Sequence, residues 1–90
     1  MFYVYILEFS DREWYIGMTS DLKRRVQEHK AGSNKSTSYR GAFELMHYEA
    51  YRNKMDALGR EKFLKSGTGR RFVKKQVRHY LEETENVTTK

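Results

Sequence analysis

Two tyrosines ten residues apart, Tyr5 and Tyr15, are followed along the chain by Arg25, His29 and Glu61. Phenols, a guanidinium, an imidazole and a lone carboxylate are the parts that phosphodiester hydrolysis needs. A water must lose a proton, charge growing on the phosphorus oxygens must be stabilised, and the leaving oxygen must be neutralised. Each residue also has an ordinary reading. Tyrosines in strands are usually core or surface residues. Cations flanking the stripe of an amphipathic helix are common. An inward carboxylate is satisfied as well by a lysine or arginine as by a metal ion. What separates the two readings is placement, and placement belongs to the elements that carry these side chains.

The segment "MFYVYILEF" is apolar on both parities, which predicts a short strand buried on both faces. After the polar break "SDR", the stretch "EWYIGM" returns to strand composition, and the two form a hairpin. An odd-length loop pairs Phe9 with Glu13, Leu7 with Tyr15 and Tyr5 with Gly17 on one side of the ribbon. Tyr5 and Tyr15 are then diagonal neighbours, while Trp14, Ile16 and Met18 face the core on the other side. Gly17 inside a strand marks a close approach by a ligand or another backbone. Thr19 or Ser20 caps the next helix, with Asp21 in its first turn, and Gly32 ends it. Leu22 and Val26 form its narrow apolar stripe; Arg25 and His29, four apart, border that stripe. "FELMHYEAY" reads as a third strand nearer an edge.

Asn53 caps a second helix, "KMDALGREKFLKS", which stops at Gly67. Glu61 falls within the stripe of Ala57, Leu58 and Leu64, where a charge is costly unless paired or bound to a cation. Mg²⁺ suits a single carboxylate, because it keeps several waters and takes further oxygens from a phosphate. Thr68 or Gly69 opens a third helix with a core stripe of Val73, Val77, Tyr80 and Leu81. The fold class is therefore α+β in the order ββαβαα, a small three-stranded sheet flanked by three helices. One domain spans residues 1–82, and residues 83–90 form a frayed tail.

Composition is compatible with that chemistry. Ninety residues with one Trp, seven Tyr and five Phe make a small, largely aromatic core. The absence of cysteine excludes disulfides and thiolate metal sites and fits a reducing cytosol. No apolar run approaches the ~20 residues of a membrane span, and no signal peptide is visible, so a soluble cytoplasmic protein is expected. The formal charge is +6. It fits either attraction to a polyanion or a solvated basic surface. As a nucleic-acid footprint, Lys23, Arg24, Lys35, Tyr39, Arg40, Lys54, Arg70, Arg71, Lys74 and Lys75 offer cations and a stackable ring without sequence readout.

"YVY" at Tyr3–Tyr5 and "YIG" at Tyr15–Gly17 resemble the paired signature of the GIY-YIG nuclease superfamily. The likeness continues through "MTSDLKRRVQEH" and ends at "LGREKFLKSG", covering about residues 2–81. It is to small stand-alone bacterial members akin to the N-terminal nuclease domain of the excision-repair protein UvrC. Tyr3 and Val4 replace the first glycine and isoleucine of the name, and neither change removes a reacting group. Gly59 inside the second helix costs ~1 kcal/mol relative to Ala. The resemblance implies a three-stranded antiparallel sheet and an endonuclease using one Mg²⁺ or Mn²⁺ ion at Glu61. It further implies that Tyr15 acts as general base or positions the attacking water, supported by Tyr5. Arg25 would bind the scissile phosphate, and His29 would aid proton transfer or phosphate positioning. The expected partner is DNA, with RNA not excluded and no membrane, selected by structure or strandedness more than by sequence, with a repair or recombination role. The alternative is a non-catalytic nucleic-acid-binding module with the same fold.

Overall fold

A computed structural model describes residues 1–33 and 41–89, which form an antiparallel three-stranded sheet and four helices. The expected Lys35, Tyr39 and Arg40 contacts lie outside the described residues. The elements are β1 (Phe2–Phe9), β2 (Trp14–Thr19), α1 (Leu22–Lys30), β3 (Phe43–Tyr51), α2 (Lys54–Lys65), α3 (Gly67–Gln76) and α4 (Arg78–Thr89). The strand order is β2-β1-β3, so the most apolar strand is central and the two mixed strands form the edges. The hairpin register is the expected one, with Tyr5 opposite Gly17 and Leu7 opposite Tyr15. The Phe9 N–H donates to the Glu13 carbonyl at 2.9 Å.

Alternation along β1 divides the core in two. Val4 and Ile6 face α2 and α3 and pack with Ala57, Leu64 and Val73, flanked by Trp14, Ile16 and Met18. Tyr5, Leu7 and Phe9 face the other way, with Tyr15, Leu22 and Phe43 around them. In α1 the most deeply buried side chain is His29, at 4% exposure, while Leu22 and Val26 are only half-buried. The apolar stripe was therefore a weaker guide than the imidazole, which packs among aromatic rings.

Three local assignments differ from expectation. Asp21, not Thr19 or Ser20, caps α1, accepting from the Arg24 N–H at 3.1 Å. Thr19 is occupied in the preceding turn, its Oγ1 accepting from the Asp21 N–H. Ser66 both ends α2 and caps α3, accepting from the Gly69 N–H at 3.0 Å. The third expected helix is two. Val77 leaves helical geometry (φ −110°, ψ 28°), and α4 departs in a new direction. That turn brings the Tyr80 hydroxyl 2.8 Å from Glu8 Oε1 and the Thr84 hydroxyl 2.9 Å from Arg12 Nη1. Glu8, only 6% exposed, gains the donor its burial demands. Helical backbone continues to Thr89.

One residue of β3 sets the position of α2. Ile6 pairs with His47 but Leu7 pairs with Leu45, so Met46 is an extra residue in the strand. The shift turns His47, Glu49 and Tyr51 toward the α2 face. Glu49 accepts two bonds from Arg60 of α2, at 2.8 and 3.2 Å, and one from the Tyr51 hydroxyl at 2.6 Å. His47 Nε2 lies 2.9 Å away. Burial alone would raise the Glu49 pKa, but the bonds from Arg60, Tyr51 and His47 win and hold it at about 2. A carboxyl depressed on folding stabilises the protein above its unfolded pKa near 4.5, and that stabilisation fades as pH falls toward 2. Glu49→Gln should cost about 2–3 kcal/mol in urea unfolding at pH 7. More than half of the difference from wild type should be gone by pH 3.

Candidate active site

The phenol of Tyr5 is the hub of the site. It leaves the central strand and passes over Gly17 of the edge strand β2, where a Cβ would stand 2.6 Å from Oη and 2.7 Å from Cζ. No other residue type leaves that passage open. Tyr5 is fully buried, and its hydroxyl shares a 2.9 Å hydrogen bond with His29 Nε2 of α1. Tyr15 completes an aromatic triangle: ring centroids lie 6.3 Å from Tyr5 to Tyr15, 5.7 Å from Tyr5 to His29 and 5.2 Å from Tyr15 to His29. Phe43 closes the far side of His29, 6.2 Å away. Gly17→Ala is expected to push the Tyr5 ring off His29 and cost about 1–3 kcal/mol, measured by urea unfolding.

Burial, with the neighbouring Tyr15 and Glu61 charges, pushes the Tyr5 pKa up to about 12; the Arg25 guanidinium opposes the rise without reversing it. At neutral pH this phenol keeps its proton. The His29 pKa is lowered, first by burial and then by Arg25, so the imidazole is disposed to be neutral. Groups from α1 and from α2 thus act on one phenol, although the two helices cover opposite faces of the sheet.

Arg25 has an unsettled donor. Its Nε is shut off from solvent and has no hydrogen-bond partner. The Glu28 carboxylate lies 3.1 Å away as an ion contact, but out of line for a hydrogen bond. The geometry is the better guide here, because a buried N–H needs an aligned acceptor.

Glu61 lies on the inner side of α2, as the stripe predicts, though it is less deeply set than Ala57 and Leu64. Ala57 and Leu64 are buried, but Leu58 is 36% exposed, and the Glu61 side chain keeps 20% exposure with Lys65 Nζ at 3.3 Å. Arg60 is buried to a similar degree, its guanidinium 5.1 Å from both the Phe63 and Phe72 rings and gripping Glu49. Its neighbour Glu61 is left facing the site. Among the described residues no three His, Cys, Asp or Glu side chains cluster as a protein-built metal cage. One partly exposed carboxylate fits Mg²⁺ or Mn²⁺, which leave most of their coordination to water and phosphate; it does not fit Zn²⁺, which takes three or four protein ligands.

The wider basic set does not form one surface. Arg70 lies over Trp14, its guanidinium carbon 4.3 Å from the ring centroid. Lys74 joins Arg70 and Trp14 around a hollow of about 190 Å³. Lys23 lines a different hollow, on the β3 side of α1, with Tyr3 and Tyr48. Arg24 pairs loosely with Glu28 at 3.7 Å. Lys54, Arg71 and Lys75 are exposed, and Arg71 donates to Thr68 at 3.3 Å. Sequence reasoning missed Lys65 and the Glu49–Arg60 grip. Lys65 was signalled by its position four residues after Glu61, and Glu49 by the alternation of His47, Glu49 and Tyr51.

The buried tyrosine over a strand glycine, the helix arginine and histidine beside it, and the glutamate on the following helix define a nuclease fold, and the chain belongs to the GIY-YIG family. The family model matched, described as the GIY-YIG catalytic domain, spans residues 1–76. The chain is similar to UPF0213 proteins. It is 46% identical to one from Haloquadratum walsbyi over 67 residues, 73% of this chain and 75% of that protein. With one from Clostridium perfringens it shares 39% identity over 69 residues, 76% of this chain and 74% of the other. The solution NMR structure of the UPF0213 protein BH0048 from Bacillus halodurans aligns with a TM-score of 0.52 and 38% identity, covering 81% of this chain and 82% of that one. Nucleases of this family are generally dependent on divalent metal ions. No helix among the described residues is long and apolar enough to cross a membrane.

Proposed function

We propose that the protein is a divalent-cation-dependent endonuclease that hydrolyses phosphodiester bonds in DNA, selecting structure or strandedness over sequence. The observation that carries this reading is the packing of Tyr15 and His29 on the buried Tyr5 phenol, whose ionisation Arg25 and Glu61 also influence. Tyr5, kept protonated, is a fixed donor held by His29. Tyr15 borders an open hollow and orients the attacking water, accepting its proton only as the phenolate. Arg25 offers its guanidinium to the phosphate oxygens as their charge grows. Glu61 would hold one Mg²⁺ or Mn²⁺, which when bound supplies Lewis-acid stabilisation of the phosphate and makes a bound water more acidic. The water oxygen bonds to phosphorus, the bond to one sugar oxygen breaks, and that oxygen takes up a proton.

Single-stranded, duplex, nicked and branched DNA incubated with Mg²⁺, Mn²⁺ or EDTA tests the reading. Metal-dependent nicking, graded across the panel, is expected. Binding without cleavage of any substrate would favour a non-catalytic nucleic-acid-binding module.

A further inference from the structure

Next to Tyr15 lies a hollow of about 510 Å³ between β2 and the junction of α2 with α3. Its polar side chains are Lys65, Ser66 and Arg70, and Tyr15 of β2 also borders it, with two cations and no carboxylate among its lining residues. The other described hollows include Glu8, Glu44 or Asp21 in their walls. The cations arrive by different routes. Lys65 is the residue whose ammonium touches Glu61 at 3.3 Å, so it links the hollow to the candidate metal ligand. Arg70 is half-buried and stacked at 4.3 Å over Trp14. A stacked guanidinium has already given up much of its rotamer freedom and presents a planar fork at little further entropic cost. The α2–α3 junction that delivers both is rigid, because Gly69 packs so closely that a Cβ would run into the Phe63 carbonyl. Beyond Arg70, Trp14 also lines the hollow that holds Lys74, one helical turn or ~6 Å further along α3. Cations therefore continue in one direction away from Tyr15.

We propose that this hollow is a phosphate subsite for a nucleic-acid strand. It holds the phosphate next to the one that is cut, through Arg70 braced on Trp14 and through Lys65. Its position beside the cut rests on the nuclease reading given above; its affinity for the strand does not. The two cations flank Tyr15 on the side opposite α1, so a strand lying here would run from Arg25 past Tyr15 toward Lys74.

Trp14 is the protein's one tryptophan, so its emission reports on the site directly. A short oligothymidylate titrated into the full chain in EDTA, where no cleavage is possible, should change that emission saturably. Arg70→Gln should weaken binding about tenfold. It should also flatten the plot of log affinity against log salt by about 0.7, the loss of one phosphate contact on a single strand. Lys65→Gln should give a similar change in slope. Arg70→Lys, which keeps the charge and tests against misfolding, should keep the slope and lose most of the emission response. Arg78→Gln removes one exposed cation from α4, outside these hollows, and should leave the slope unchanged. Equal slopes for Arg70→Gln and Arg78→Gln would overturn the proposal, as would an unchanged Trp14 emission while anisotropy shows the oligonucleotide bound. Either result alongside intact metal-dependent nicking would leave the nuclease reading standing. The expected slopes without any nicking would refute that reading and keep the subsite.

Discussion

Glu61→Gln is expected to reduce metal-dependent nicking by at least about 10³-fold while leaving salt-sensitive DNA binding within about twofold of wild type. The size follows from the donor set. Among the described residues no group of three or more His, Cys, Asp or Glu side chains stands ready to replace Glu61 as the cation's anchor. A neutral amide of the same shape keeps the packing of α2 and removes the charge that would hold a divalent ion. Binding is preserved because Glu61 is itself anionic and is compensated by Lys65 at 3.3 Å. Freed from its partner, Lys65 is available to the strand, so affinity should rise slightly if it changes at all. Circular dichroism and urea unfolding should stay close to wild type, since the Lys65 end of the pair is more than half exposed and such a pair contributes little to stability. Equal nicking by wild type and Glu61→Gln would mean that another nuclease is present in the preparation.

Arg25→Ala should cost about 10²–10³ in nicking rate, the scale seen when one preorganised donor is taken from a developing oxyanion. The variant separates a donor used in the reaction from an ordinary surface cation. Arg25 keeps a buried Nε without an aligned acceptor and lies against the Tyr5 phenol. Its loss removes both a phosphate donor and the positive charge that opposes the rise in the Tyr5 pKa. Tyr5 should then become harder still to ionise. Arg25→Lys is expected to recover no more than about a tenth of the loss, because an ammonium cannot reproduce the planar fork. Arg24→Ala is the companion measurement. Arg24 is exposed and pairs only loosely with Glu28, so its loss should weaken binding modestly and leave the rate on bound DNA unchanged. A similar rate loss in both variants would make Arg25 an electrostatic contributor and not a donor to the phosphate.

How these side chains meet was only partly visible in the sequence. The hairpin register followed from alternation and loop parity, so Tyr5 over Gly17 and Tyr15 diagonal to it were both legible. The four-residue spacing of Arg25 and His29 put them on one face of α1, but the depth of His29 did not show. Hydropathy assigns an imidazole to the margin of a helix, whereas here it is enclosed by Tyr5, Tyr15 and Phe43. Glu61 was legible as an inward carboxylate on α2, and its side chain is only 20% exposed. Its orientation depends on the extra residue at Met46, which turns Glu49 toward Arg60 and so fixes the helix rotation. A bulge of this kind adds no residue type that a pattern would flag. The break at Val77 was hidden for a related reason. No Gly or Pro marks it, and the stripe of Val73, Val77, Tyr80 and Leu81 runs across it unbroken. Tertiary bonds from Tyr80 and Thr84 settle the direction of α4.

A crystal structure of Tyr15→Phe soaked with Mn²⁺ and a short DNA strand is the most direct examination of the shared site. Anomalous scattering should place one ion about 2.1 Å from a Glu61 carboxylate oxygen. A strand phosphate should bridge that ion and the Arg25 guanidinium, above the ring of residue 15. An ion bound away from Glu61, or a strand whose phosphates never approach Arg25, would contradict the assignment of these residues to one reacting centre.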